Sequence, residues 1–247
     1  MIRQRLDQSG RVIAADLARE FQTSEDTIRR DLRELAAAGL CRRVYGGALS
    51  TSPPPGRLEE RNVQNQARKR ALGRAAAALA RPGNIILIDA GSTNRHIAGE
   101  LPDGMGLTVV TNAPSVADVL GGRDIDLILI GGRVDPRVGG CIGANALAEL
   151  KRIRADLCFL GACAASPATG ITTTDAEEAV FKRALVTQSE RTIVALTNDK
   201  LATVAPFSVV PLAEIQDLVV EADAGAAKLE GFDLCGLRLH RAGEVRA

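Results

Sequence analysis

Ile85-Ile86-Leu87-Ile88-Asp89-Ala90-Gly91-Ser92-Thr93 decides how the larger part of this chain is read. An apolar run ends there at a carboxylate, a glycine and two hydroxyls. The run has the length of a buried strand, and glycine lets the backbone turn sharply after it. The amides of Ser92, Thr93 and Asn94 then open a helix, where unpaired N–H groups and the helix dipole favour an anion. From these residues alone two readings stay open: a phosphate-holding loop, or a tight strand-to-helix turn with a capped helix.

Outward from this stretch, further strands are expected at 107–111, 125–130, 156–160, 192–196 and 217–220. Helices are expected near 94–101, 114–120, 144–152 and 175–189, with another over 64–81 ended by Pro82-Gly83. Apolar strands separated by helix-length segments give a parallel sheet covered on both faces. The fold class is α/β, and an open sheet of this kind binds ligands at the carboxyl ends of its strands. Thr111-Asn112 follows the second strand and Gly131-Gly132 the third, so hydroxyl, amide and bare backbone are expected at that edge. Paired glycines are also ordinary turn residues.

Composition bounds the rest. The 247 residues suffice for a small domain joined to a medium one. No apolar stretch approaches the roughly 20 residues that cross a bilayer, and MIRQRLDQSG lacks the apolar core of a secretory signal, so a cytoplasmic protein without a membrane partner is expected. The five cysteines have no CxxC spacing and no neighbouring histidine, which argues against disulfides and zinc; no metal and no cofactor are expected. With 31 basic and 30 acidic side chains, any nucleic-acid surface must be local. The run Ser50-Thr51-Ser52-Pro53-Pro54-Pro55-Gly56 cannot continue a helix or pair inside a sheet. It divides the chain into residues 1–49, a linker over 50–60, and residues 61–247.

Upstream of the prolines, Val12, Leu17 and Phe21 stand at helical spacing, Gln22-Thr23-Ser24 interrupts, and Ile28, Leu32 and Leu35 form one face of a second helix. Thr23 and Ser24 are N-cap candidates, and Asp26 stands three residues after Thr23 as a capping pair would. The second helix turns Arg29, Arg30 and Arg33 away from its apolar stripe. Those groups can contact phosphates or guanine edges in a major groove, or they can form a solvated face paired with Asp26, Asp31 and Glu34. Gly39 closes the helix, and Leu40-Cys41-Arg42-Arg43-Val44-Tyr45-Gly46-Gly47-Ala48 reads as a strand pair, a wing with a basic edge.

TSEDTIRRDLRELAAAGLCRRVYGGA resembles the winged helix-turn-helix of DeoR-type transcriptional regulators in spacing as well as residue type. The resemblance implies sequence-specific binding of double-stranded operator DNA through Thr23, Ser24, Thr27, Arg29, Arg30, Arg33, Arg42 and Arg43. Such regulators carry several residues ahead of the position of Met1, so the first helix is expected to begin late, with Ile2 and Leu6 as its clear core positions: either the true start lies upstream or this helix is short. The order of Glu60-Arg61, the Lys69 helix, DAGST, Thr111-Asn112, Gly131-Gly132, Gly143, Asp156, Phe159-Leu160-Gly161, Gly170 and the Glu178 to Lys182 helix extends the resemblance over nearly the whole chain.

Family members of this kind join the DNA-binding module to a domain similar to ribose-5-phosphate isomerase, and respond to phosphorylated sugars or related metabolites. The resemblance therefore implies an effector site drawn from Asp89, Gly91, Ser92, Thr93, Thr111, Asn112, Gly131, Gly132, Asp175, Glu178, Lys182 and Lys200. It points Lys182 at a phosphate and the carboxylates at sugar hydroxyls; the bland alternatives are a surface ion pair between Glu178 and Lys182 and a helix cap at Asp175. Many relatives carry an aspartate where Thr197 stands, three residues before Lys200. An isomerase would need a tuned acid and base, which Asp89, Asp175, Glu178 and Lys182 could supply. A fused DNA-binding module instead favours a sensor without turnover and without catalytic residues, because a ligand that prefers one arrangement of the protein suffices to regulate. Repression and a homodimer or homotetramer are expected, since helix-turn-helix proteins read paired half-sites.

Overall fold

Ile86, Leu87 and Ile88 are almost completely excluded from solvent, at 0 to 1% exposure. Burying each such side chain stabilises by about 1.5–3 kcal/mol, which fixes this strand at the centre of a core. The structure, a computed structural model, describes residues 1–51 and 56–243. Ser52, Pro53, Pro54 and Pro55, where the sequence divides the chain, lie outside the described residues.

The amino-terminal module runs α1 (Ile2–Ser9), β1 (Arg11–Ile13), α2 (Ala14–Glu20), α3 (Glu25–Ala37), β2 (Cys41–Val44) and β3 (Gly47–Thr51). Ile2, Leu6, Val12, Leu17, Ile28, Leu32, Cys41 and Ala48 form its own small core. Val12 departs from the helical reading: it lies in β1, opposite Ala48 of β3, and α2 starts only at Ala14. Cross-strand pairing there overrides a spacing that three apolar residues satisfied by coincidence. Ser24 caps α3 by accepting from the Thr27 amide at 3.1 Å, so the cap pairs Ser24 with Thr27 rather than Thr23 with Asp26. Gly39, at φ 72°, follows the end of α3 as expected.

Next come α4 (Leu58–Val63) and α5 (Gln66–Ala77), the second being the helix expected over 64–81, shorter at both ends. Asn65 is left-handed at φ 53° and separates them. The alternation then follows: β4 (Ile85–Ile88), α6 (Ser92–Glu100), β5 (Thr108–Thr111), α7 (Pro114–Leu120), β6 (Asp126–Leu129), a hairpin of β7 (Val134–Asp135) and β8 (Gly140–Cys141), α8 (Ala144–Leu150) and β9 (Ala155–Leu160). The chain continues through β10 (Ala164–Ser166), β11 (Gly170–Thr173), α9 (Ala176–Thr187), β12 (Ser189–Leu196), β13 (Thr203–Val204), β14 (Phe207–Val210), β15 (Asp217–Val220), α10 (Ala226–Leu229) and β16 (Arg238–Arg241).

The main sheet has seven strands in the order β16-β15-β12-β9-β4-β5-β6, and every adjacent pair is parallel. From β4 the chain winds outward through β5 to β6, then returns to β9 and winds the other way. The direction therefore switches between β4 and β9, where a crevice opens at the carboxyl ends of the strands. Strands β10, β11 and β14 form a separate antiparallel sheet beside it. All five cysteines are free thiols, and four are buried. No helix among the described residues is long and apolar enough to cross a membrane.

The two modules share a sheet. Strand β13, from the carboxyl-terminal part, pairs in parallel with β3 of the wing, Thr203 opposite Ser50 and Val204 opposite Thr51. Strand β3 thus pairs with β1 and β2 of the amino-terminal module and with β13 of the carboxyl-terminal part.

Candidate functional site

The crevice at the switch point is built from the residues that end β4 and β9. Asp89 follows β4 and is 1% exposed. One carboxylate oxygen accepts from the Ala90 amide at 2.8 Å, and the other accepts from the Gly161 amide at 2.9 Å and from the Lys182 ammonium. A β-carbon on Gly161 would lie 2.8 Å from the Ala90 carbonyl oxygen and 2.9 Å from Asp89 Oδ2, so the position admits no side chain without movement. The Asn94 side chain donates to the carbonyls of Asp89 and Phe159 at 2.9 and 3.0 Å, binding the start of α6 to both strands.

Helix α6 opens without a side-chain cap. Its first backbone bond runs from the Arg95 amide to the Gly91 carbonyl at 2.9 Å, so the amides of Ser92, Thr93 and Asn94 precede the ladder. All three residues are buried. The stretch is a tight strand-to-helix turn without a side-chain cap, as at α7 and α8, whereas α3 and α9 are capped by Ser24 and Asp175.

Cations gather in front of this helix end. The same crevice is lined by Gly91, Ser92, Thr93, Arg61, Lys182 and Lys200. Lys200 donates to the Ala162 carbonyl at 2.8 Å, and Lys69 to the Arg61 carbonyl. Arg61 donates to the Arg137 carbonyl at 2.7 Å, and its Nε is buried with no hydrogen-bond partner among the described residues. Burial, with help from Lys200 and Arg61, pulls the Lys69 ammonium down to about 8. Burial likewise lowers Lys200, with Arg61 and Lys182 adding to the effect and Cys163 and Asp199 opposing it. Such neighbours disfavour each other's charge.

Lys182 differs from these cations. It is 1% exposed, hydrogen-bonded to Asp89 and to the Gly161 carbonyl at 2.9 Å, and ion-paired with Glu178 at 3.2 Å. Burial pulls its ammonium down, but Asp89 and Glu178 more than offset this and hold it above the ordinary lysine value. The Glu178 carboxylate also accepts from Thr173 Oγ1. Asp175 caps α9 by accepting from the Glu178 amide at 3.0 Å and lies 3.8 Å from Arg137. Lys182 and Glu178 thus form a buried network rather than a surface pair.

Of the other residues expected here, Thr111, Asn112, Gly131 and Gly132 do not line this crevice. The Thr111 hydroxyl donates to the Ile88 carbonyl at 2.7 Å and accepts from the Ala113 amide, and Asn112 donates to the Cys141 carbonyl. These groups join strand ends to one another, with Gly132 packed near Cys141. Sequence reasoning left out Arg61, Lys69 and Gly161 as site residues. Their signal was available only as the order Glu60-Arg61, Lys69 and Phe159-Leu160-Gly161, because nothing local marks them as neighbours.

On the amino-terminal module, Arg29, Arg30 and Arg33 are exposed on α3. Arg29 pairs with Glu25 at 2.7 Å; among the described residues Arg30 and Arg33 form no ion pair, so the partners expected at Asp26, Asp31 and Glu34 are not engaged. Arg42 and Arg43 are consecutive in β2 and so point to opposite faces. Arg43 shares a hollow with Arg29, Val44 and Tyr45, whereas Arg42 donates to the Ala205 carbonyl of the other module at 3.4 Å. Tyr45, at the wing tip, is fully exposed. Thr23 donates its amide to the Ala18 carbonyl, and the hydroxyls of Ser24 and Thr27 lie 2.9 Å apart.

A winged helix-turn-helix joined through one of its own strands to an α/β domain with an uncapped, cation-ringed helix end defines a DNA-binding regulator with a sensor module. The comparisons agree with that class. Residues 1–53 match the DeoR-like helix-turn-helix domain and residues 64–222 the DeoR C terminal sensor domain, so the chain belongs to the DeoR family of transcriptional regulators. It is 30% identical to the HTH-type transcriptional regulator GlpR of Haloferax volcanii, over 94% of this chain and 91% of that one. It is 32% identical to the glycerol-3-phosphate regulon repressor of Escherichia coli K12, over 78% of this chain and 77% of that one. Among solved structures, ribose 5 phosphate isomerase A from Neisseria gonorrhoeae matches with a TM-score of 0.41 and 16% identity, covering 56% of this chain and 54% of the other.

Proposed function

We propose that this regulator is a repressor whose operator affinity is set by a phosphorylated sugar-like metabolite, held but not transformed. The observation that carries the reading is the buried, uncapped start of α6 at Ser92, Thr93 and Asn94, facing Lys200 and Arg61. Amides without partners, and a Lys200 ammonium whose charge burial disfavours, are both satisfied by a phosphate dianion. One relative, the Escherichia coli protein, is named for the glycerol-3-phosphate regulon, in keeping with a phosphate ester as ligand class.

In this reading Ser92 and Thr93 hold the phosphate with Gly91, Lys200 and Arg61, and Lys69 adds charge from behind. Asp89, Lys182 and Glu178 brace the crevice, and Asp175 stands at its outer side. Asp89 and Lys182 are each other's partners, so neither is poised as a free base, which supports a sensor over an isomerase. Arg30, Arg33, Arg29 and Arg43, with Thr23, Ser24 and Thr27 at the start of α3, face the operator. The working division is a DNA-binding part over 1–49, a connection over 50–60, and an effector-binding and oligomerisation part over 61–247, assembled as a homodimer or homotetramer.

A thermal-shift screen against phosphorylated metabolites tests this, because a ligand that binds only the folded state stabilises it according to its concentration over its Kd. The best ligand should also weaken binding to operator DNA and come back unchanged from the mixture. A ligand converted to product, or no stabilisation by any phosphate ester, overturns the reading.

A further inference from the structure

The crevice has a cavity volume of about 20 Å³, room for about one water molecule. A phosphate group seated at Ser92 and Thr93 therefore displaces part of the lining, while the rest of an ester can lie in the adjoining cavity of about 1120 Å³, which shares Arg61, Cys163 and Glu178. Most of the lining is pinned: Asp89, Gly161 and Lys182 bond to one another, and Asn94 ties α6 to β4 and β9. The Lys200 ammonium is held by one bond, to the Ala162 carbonyl, while its backbone lies on a turn outside the main sheet.

That turn leads straight into the wing. The Lys200 carbonyl accepts from the Ala165 amide at 3.0 Å and from Thr203 Oγ1 at 2.9 Å, and Thr203 opens β13, the strand paired to β3. Between them Ala202 is left-handed at φ 56°, a conformation a side chain adopts at a cost. Ala202 also presses on the amino-terminal module: a β-carbon on Gly10 would lie 2.3 Å from Ala202 Cβ. Gly10 in turn accepts from the Ser50 amide at 2.7 Å. A strained turn, a single side-chain anchor and two residue pairs of sheet thus connect the anion corner to the wing.

We infer that Lys200 and the turn after it transmit occupancy of the crevice to the DNA-binding module: an anion at Ser92 and Thr93 draws the ammonium from the Ala162 carbonyl, the turn relaxes at Ala202, and the β13–β3 pairing opens. The inference rests on the anion-site reading above and adds its route to DNA. By linkage, whatever holds β13 to β3 weakens anion binding by the same factor as the anion weakens the pairing. Undocking frees the wing to change its angle to α3 and to the operator.

Hydrogen exchange on the full chain, titrated with inorganic phosphate, reads this directly. Phosphate binding is followed in parallel by thermal shift. At saturating phosphate, amides in 47–51 and 201–206 should exchange faster by roughly fivefold or more, while the first turn of α6 slows. A second arm uses Thr51→Cys with Val204→Cys, opposite one another in the pairing. Oxidation of that pair should weaken phosphate binding by a similar factor, and reduction should restore it, with wild-type protein unaffected by the same treatments. Phosphate that stabilises the protein without faster exchange in 47–51 and 201–206 overturns the route and leaves the anion site standing. So does an oxidised pair that binds phosphate as tightly as the reduced one. If phosphate fails to stabilise the wild-type protein at any concentration, the site reading falls, and the route with it.

Discussion

The ammonium of Lys182, on α9, is bonded to the carboxylate of Asp89, at the end of β4, and both side chains are 1% exposed. Removing one member of a buried ion pair leaves the other as an uncompensated charge, which costs about 3 kcal/mol. Lys182→Met should therefore lower the denaturation midpoint strongly, before any question of effector arises. Asp89→Asn added to Lys182→Met should recover much of the loss, because it removes the stranded charge. Chemical denaturation of the single and double variants checks this; a single variant as stable as the wild type would contradict the bonding described.

The sequence supplied this relationship only as separate residues. Spacing alone left Glu178 and Lys182 open between a surface ion pair and a site pair, because helical spacing says nothing of what a helix packs against. The six strands of the main sheet that were expected were legible because each is an apolar run ended by turn residues. Strand β16, Arg238-Leu239-His240-Arg241, was not, since it is polar. It is held at the edge by pairing to β15 and by Arg238 and His240 on the buried Asp217. The start of α6 was legible from Gly91-Ser92-Thr93, whereas Arg61 and Lys200 beside it come from segments far apart in the chain. The β13–β3 pairing joins residues about 150 apart in a two-residue strand, below any periodicity a sequence can display.

Arg42 and Arg43 offer a test of the wing. Arg43 shares the hollow of Arg29 and Tyr45, and Arg42 reaches the Ala205 carbonyl of the other module. Arg43→Ala should weaken operator binding and reduce the salt slope by about one, as the loss of one phosphate contact does. Arg42→Ala should leave the salt slope unchanged. Anisotropy titrations at several salt concentrations distinguish the two, and equal slopes for both variants would refute the assignment of faces. Arg30→Ala and Arg33→Ala should each behave like Arg43→Ala or relax base preference.

Ser92→Asp places a carboxylate in the first turn of α6, one residue after the N-cap Gly91, where the helix dipole favours it and it repels a phosphate. The variant should be as stable as the wild type, or more stable by up to about 1 kcal/mol, yet lose stabilisation by phosphorylated metabolites. Operator binding should persist. A Ser92→Asp protein still stabilised by the wild-type ligand at the same concentration would move the anion site elsewhere.

Lys69 gives the site a pH dependence. Its ammonium is buried beside Lys200 and Arg61 and is depressed to about 8, well below an unfolded lysine near 10.4. Between those values the unfolded chain binds the extra proton, so this residue makes stability of the empty protein rise with pH from about 8 upward. Effector affinity should run the opposite way. A phosphate ester is already a dianion above pH 7, so across pH 7 to 9 the change comes from the protein, and loss of the Lys69 proton removes a nearby positive charge. Binding of the ligand found in the thermal-shift screen should weaken by roughly fivefold as pH rises through 8, the scale of one charge at close range. Lys69→Met should bind more weakly at pH 7 and respond less to pH over the same interval. Calorimetric titrations of both proteins check it: a wild-type affinity that stays flat from pH 7 to 9 rules out Lys69 as a charge felt by the bound anion.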